Sequence, residues 1–118
     1  LVINGDGEEA LDFTYIDDLV QGVVRCIISK NSKNEIFNIT YGKGRKLKEL
    51  ANIIIDSFPK SKLVYQPRDS LMPLRGTLSI EKAINKIGFE PNYNIENGLA
   101  KYISWYKEFA SNHKHLFK

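Results

Sequence analysis

This 118-residue chain contains one cysteine, Cys26, and two histidines, His113 and His115. A single thiol excludes an internal disulfide and makes a metal cluster untenable. Cys26 sits between Arg25 and Ile27 in an apolar stretch and reads as a small core residue. Having no disulfide suits a reducing, cytoplasmic compartment. The histidines fall in a C-terminal stretch expected to fray, residues 111–118, so they are expected to be solvated rather than catalytic or ligating. No apolar run approaches the ~20 residues needed to cross a bilayer, and no stretch has the pattern of a signal peptide, so no membrane partner is expected. Also missing are a G-x-G-x-x-G phosphate loop, a G-x-S-x-G elbow, an H-E-x-x-H helix and a C-x-x-C pair. The first residue is Leu1 and the one methionine is Met72, so the expectation is a fragment, a processed product or an excised domain.

What is present is average for a globular domain: 42% apolar residues, 26% charged, and a formal charge of +3. One domain over residues 1–110 is expected, large enough to bury a core. The cations are scattered. The densest cluster, at residues 43–48, lies where a loop enters a helix, which gives no interleaved basic and aromatic face for nucleic acid.

Val2 and Ile3 read as the end of a strand running into a turn at residues 4–7, where Gly5 and Gly7 tolerate positive φ. Residues 13–16 are β-prone, and Asp17 or Asp18 is placed to cap the following helix with its carboxylate. A paired-carboxylate acid/base site is the other reading, but neighbours in sequence diverge on a helix. Leu19, Val20, Val23, Val24, Ile27 and Ile28 recur with helical spacing and form a broad apolar face. Residues 35–40 alternate and predict a strand. Leu47, Leu50, Ala51, Ile54 and Phe58 predict an amphipathic helix ending before Pro59. Residues 62–66 form a short strand, and residues 67–78 a long loop. Ile80, Ala83, Ile84 and Ile87 mark a short helix stopped by Gly88. An extended linker over residues 89–94 leads to a last helix carrying Ile95, Leu99, Tyr102, Ile103, Tyr106 and Ala110 on one face. The expected fold class is α/β, a small lobe with helices packed on a few short strands in the order βαβαβαα.

The loop at residues 67–78 gathers the remaining polar chemistry: Arg68, Asp69, Arg75 and Thr77. Loops of this length inside a compact domain are usually functional or disordered. A guanidinium offers a planar fork of donors suited to phosphate. Arg75 reaches across a cleft to such a ligand, or it pairs with a carboxylate such as Asp69 or Glu81. Both readings stand on the residues alone.

Several segments, in order and over nearly the whole chain, resemble the C-terminal half of the NAD-dependent nucleotide-sugar epimerase/dehydratase family (extended short-chain dehydrogenases). Gly5-Asp6-Gly7 through Leu11-Asp12-Phe13-Thr14-Tyr15-Ile16-Asp17-Asp18 is similar to the family's G-x-G…R-D-F-x-Y/H-V-x-D. Phe37-Asn38-Ile39, Gly42 and Leu47-Lys48-Glu49-Leu50-Ala51 follow its N-V/I-G-x-G…E-L-A stretch. The stretch from Leu74 and Arg75 to Ala83 resembles R-x-x-x-x-D-x-S-K-A. Ile87-Gly88-Phe89-Glu90-Pro91, then Glu96-Asn97-Gly98-Leu99 and Trp105-Tyr106, match L-G-W/Y-x-P…E-E-G-L…W-Y/F.

The resemblance implies the substrate-binding lobe of a nucleotide-sugar 4-epimerase or 4,6-dehydratase. The parent's N-terminal Rossmann domain would hold NAD and the Tyr-x-x-x-Lys pair, with no catalytic residue and no cofactor on this lobe. The ligand implied is a nucleoside-diphosphate sugar. By position, Arg75 would contact the diphosphate, with Arg68 a second candidate, and Phe13 would lie near the nucleotide. The family's Arg before Asp-Phe is Leu11 here, so that phosphate contact is absent. The partners implied are the chain's own Rossmann domain and, for the parent, a second copy in a homodimer. A stand-alone basic module or a protein-interaction domain is the alternative, separable by the salt dependence of binding.

Overall fold

The computed structural model describes residues 1–73 and 75–117, with side chains through Leu116. Leu74, the first residue of one family-like segment, and Lys118 lie outside the described residues. Strand β1 (Val2–Asn4) is followed by β2 (Ala10–Leu11), α1 (Ile16–Ile28), β3 (Arg45–Lys46), α2 (Leu47–Ser57), β4 (Val64–Gln66), α3 (Glu81–Ile87) and α4 (Ile95–Asn112). The described strands form two separate ribbons. β1 and β4 run parallel with Val2 opposite Val64, and β2 and β3 run antiparallel with Ala10 opposite Lys46. The α/β lobe of helices on short strands is therefore as expected.

Local signals hold where the determinants are local. Gly5 and Gly7 turn at φ of 97° and 77° after β1. α2 stops at Phe58 just before Pro59, and its first turn is closed by Glu49, which accepts the Lys46 amide at 3.0 Å. α3 ends on Gly88 in the left-handed region. α4 is capped by Asn94, whose side chain accepts the Asn97 amide at 2.8 Å.

Three expectations are corrected. The second strand is at residues 10–11, because only there does β3 offer ladder partners; residues 13–15 pair with no described strand and Ile16 already belongs to α1. Neither Asp17 nor Asp18 caps α1. Tyr15 holds the cap position without a side-chain bond, while Asp18 is buried and accepts the amides of Asn92 and Tyr93 at 2.8 and 3.0 Å. Residues 35–40 lie in no described strand and exchange no ladder bonds with other described residues.

The orientation of α1 is the largest surprise. Its apolar face is exposed, and the face turned inward carries Asp18, Gln21, Gly22, Arg25 and Cys26. A Cβ on Gly22 would collide with Ile39, so glycine is what lets helix and extended segment touch. The core lies on that inner side: Ala83, Ile87 and Phe89, with Cys26, Phe37, Ile39 and Ile80 packed against them. Cys26 is thus the core residue expected. A second contact joins α2 and α4, where Phe58 and Tyr106 meet edge to face at 6.2 Å. α4 runs to Asn112, and a 3-10 turn follows at Lys114–Phe117, past the point where fraying was expected. His113 is half-buried, its ring stacked on Phe109 at 4.2 Å.

Candidate functional site

The turn after β1 is the anchor. The Gly5 amide donates to Gln66 at 2.7 Å, the Lys48 amide to Gly7 at 3.1 Å, and the Leu47 amide to Glu9 at 3.0 Å. The turn therefore bridges the end of β4 and the start of α2. Residues 4–9 and Arg68 line a hollow of about 460 Å³.

Glu8 on its rim accepts from Lys46 at 2.7 Å and from Lys48. These two hydrogen bonds hold its carboxyl down at about 2, well below the usual carboxylate range. Arg45 is bound by Glu49 at 2.8 Å and Glu96 at 2.5 Å, and its pKa is pushed up chiefly by the Glu96 bond, then by Glu49. Three cations of the basic cluster, Arg45, Lys46 and Lys48, are thus committed to carboxylates. This disfavours a nucleic-acid patch.

Glu9 organises the two loop arginines. Its Oε1 lies 3.6 Å from Arg68 Nη2 and accepts the Arg75 backbone amide at 3.4 Å. Arg68 is 26% exposed. Its Nη2 donates to the Pro73 carbonyl at 2.9 Å, and its Nε is buried without a hydrogen-bond partner among the described residues. The Arg75 side chain is exposed and makes no ion pair with a described residue, Asp69 and Glu81 included. Both arginines converge on Glu9; Arg68 is the one set into the hollow.

Phe13 and Leu11 stand apart from it. Phe13 lines a second, larger hollow of about 630 Å³ with Leu50, Tyr93, Tyr102 and Trp105, and this hollow shares no lining residue with the first. Leu11 is half-buried on β2, opposite Arg45. Arg45 itself donates to Glu49 and Glu96.

Sequence reasoning missed Asp12 as a positioning residue. Its carboxylate accepts from Thr40 Oγ1 at 2.8 Å, the Gly42 amide at 3.1 Å and the Leu78 amide at 3.3 Å. It therefore ties the exit of β2 to the end of the arginine loop. Its place beside Phe13 in the family-like segment was the available signal; no local spacing rule points to it.

No protein-family profile matches the chain. A putative UDP-glucose 4-epimerase of Methanocaldococcus jannaschii is 32% identical over 108 residues, covering 90% of this chain and 34% of that relative. An epimerase of Methanothermobacter thermautotrophicus superposes with a TM-score of 0.86 at 28% identity, covering 98% of this chain and 34% of that one. The UDP-glucuronic acid 4-epimerase of Bacillus cereus, in complex with UDP-glucuronic acid and NAD, superposes with a TM-score of 0.81 at 26% identity, covering 92% and 35%. The chain spans about a third of the length of the relatives it matches. By sequence likeness and by fold together, its relatives and structural neighbours are NAD-dependent nucleotide-sugar epimerases and dehydratases, and the chain matches the C-terminal part of such enzymes.

Proposed function

We propose that this chain is the lobe that holds the sugar nucleotide, gripping its diphosphate through Arg68 and Arg75. A Rossmann-type domain outside the chain would carry NAD and the oxidation and reduction at the sugar C4. The observation that carries the reading is Arg68 Nε, a buried donor with no partner among the described residues in a hollow beside a glycine turn. A buried unsatisfied donor costs roughly 1–3 kcal/mol, and a phosphate oxygen is an acceptor of the right charge and geometry.

Of the hollow's three carboxylates, Glu8 is paired with Lys46 and Lys48, Glu9 faces Arg68, and Asp6 accepts the Glu8 amide at 2.9 Å. Arg75, exposed and tied by its amide to Glu9, stands where its side chain can fold onto a ligand in the same hollow. Asp12 fixes the end of that loop at Leu78. Phe13, in the other hollow, contacts the nucleotide only if the ligand reaches between the two.

The Gly5 turn leads into β2, not into a helix N-terminus, so it lacks the amide array that takes a dinucleotide pyrophosphate. Accordingly, no step of the redox chemistry is assigned to this chain. Its task is to orient the hexose and keep water out, which places reacting atoms within roughly 3–3.5 Å.

The test is calorimetric titration of UDP-glucose and UDP-glucuronic acid into the full-length enzyme and its Arg68→Ala and Arg75→Ala variants. A charged hydrogen bond of about 1.5–3 kcal/mol predicts at least a tenfold weaker Kd for each. Unchanged affinity for both nucleotides in both variants removes the diphosphate from this loop.

A further inference from the structure

Glu9 faces the two loop arginines from a fixed part of the fold. Its carbonyl accepts the Leu47 amide at 3.0 Å, and Ala10 beside it is locked in the ladder of β2 and β3. Its side chain is only 14% exposed. Arg68 and Arg75 belong instead to the loop over residues 67–78. The Arg68 stem lies along Gly5, where a Cβ would come within 3.7 Å of it, and its head reaches the Pro73 carbonyl. Glu9 therefore offers a rigidly placed carboxylate, and the loop comes to it.

The contacts it makes are long. Charge-assisted hydrogen bonds between a guanidinium and a carboxylate run about 2.7–2.9 Å. Glu9 Oε1 lies 3.6 Å from Arg68 Nη2 and 3.4 Å from the Arg75 amide nitrogen. One oxygen serves both donors and stands at the distance of a strong bond from neither. Arg68 Nε takes no part and stays buried without a partner among the described residues. The hollow's other carboxylates are closed more tightly: Glu8 meets Lys46 at 2.7 Å, and Asp6 accepts the Glu8 amide at 2.9 Å. A loosely closed pair is the one that an incoming anion opens.

We infer that Glu9 is the resident counter-ion of Arg68, the group that a diphosphate displaces on binding. This deepens the reading that the loop arginines grip a diphosphate, and it rests on that reading. Once phosphate oxygens take Arg68 Nε and Nη2, the Glu9 carboxylate is left facing a second anion. Two unit charges about 5 Å apart in water repel enough to weaken binding about fourfold. Glu9 thus holds the loop in place and lowers affinity at the same time. It is a positioning residue that sets how tightly the nucleotide is kept. Glutamine keeps the side-chain oxygen that the Arg75 amide uses and removes the charge, whereas alanine removes both.

Calorimetric titration of UDP-glucose, and of UDP without the sugar, into the full-length enzyme loaded with NAD tests it. Glu9→Gln is expected to bind both ligands about fourfold more tightly than the parent. Glu9→Ala should bind them more weakly than Glu9→Gln does. The gain in Glu9→Gln should vanish when Arg68→Ala is added, and it should shrink in 1 M salt. Equal or weaker binding in Glu9→Gln, which a merely structural glutamate would give, overturns the inference. So does a gain that survives Arg68→Ala, or an alanine variant that matches the glutamine one. Weakened binding in Arg68→Ala with no gain in Glu9→Gln removes the counter-ion and leaves the diphosphate reading standing. Unchanged affinity in both arginine variants removes that reading, and the role of Glu9 with it.

Discussion

Asp18 and Tyr93 lie 75 positions apart, and the Tyr93 amide donates to Asp18 Oδ2 at 3.0 Å in a site where Asp18 is 1% exposed. With the Asn92 amide on the other oxygen, a single carboxylate clamps the start of α1 to the entry of α4. The rings of Tyr15 and Tyr93 close over the same junction at 4.8 Å.

Asp18→Ala would leave the part-buried amides of Asn92 and Tyr93 without their acceptor. The expected loss is about 3 kcal/mol, which for a domain of this size lowers Tm by about 10 °C. Asp18→Asn keeps one acceptor oxygen but turns an amide group toward an N–H, so a smaller loss is expected. Thermal unfolding followed by circular dichroism separates the two. Equal, negligible shifts would show that the clamp carries no stability.

Gly22→Ala should destabilise even though alanine favours helix over glycine. The new methyl would fall on the Ile39 side chain, and overpacking of this kind costs about 1–3 kcal/mol. Adding Ile39→Val should recover part of the loss, measurable as a double-mutant cycle in urea unfolding. A Gly22→Ala protein as stable as its parent would mean that α1 is free to shift away from residues 35–40.

Glu8 and Glu35 set a pH dependence. Glu8 is held at about 2 by hydrogen bonds from Lys46 and then Lys48, and Glu35 at about 2 by those from Lys82 and then Lys86. A carboxyl whose folded pKa lies below its ordinary 4.5 stabilises fully above that value and loses the contribution as pH falls toward 2. Glu8 is exposed and Glu35 half-buried, so salt should weaken the effect, more at Glu8. The Tm advantage of the parent over Glu8→Gln and Glu35→Gln is therefore expected above pH 5. It should close between pH 4.5 and 2, and shrink in 1 M salt. An advantage that widens on acidification would contradict the pairing.

Asp12→Ala should loosen the arginine loop without unfolding the lobe. Losing the acceptor for Gly42 and Leu78 is worth about 1.5 kcal/mol of local opening. Exchange at those two amides should rise about tenfold, and Thr40→Ala should reproduce a smaller part at Gly42. Unaltered exchange at Leu78 would show that the loop is held elsewhere.

The chemistry of single residues and their near neighbours was legible from the chain alone. Pro59 and Gly88 end helices wherever they are placed, and Gly5 and Gly7 turn because they carry no Cβ. The spacing of Leu47, Leu50 and Ala51 marks a helix in any context. The resemblance offered Arg75, with Arg68 a second candidate, as the diphosphate contact by position alone, and that role is a proposal.

Only the tertiary structure decided where those features point. Periodicity states that Leu19, Val23 and Ile27 share a face of α1, but not whether that face looks in or out; Gly22 against Ile39 settles it. A strand exists only through its partner. β2 therefore sits at Ala10–Leu11, where β3 pairs with it, and not at the more β-prone residues 13–16. Residues 35–40 alternate like a strand and find no ladder among the described residues. Arg68 and Arg75 meet at Glu9 because β4 and the turn after β1 lie side by side, a contact across more than half the chain. Local preferences act over a few residues, whereas burial and pairing depend on surfaces brought together by the whole fold.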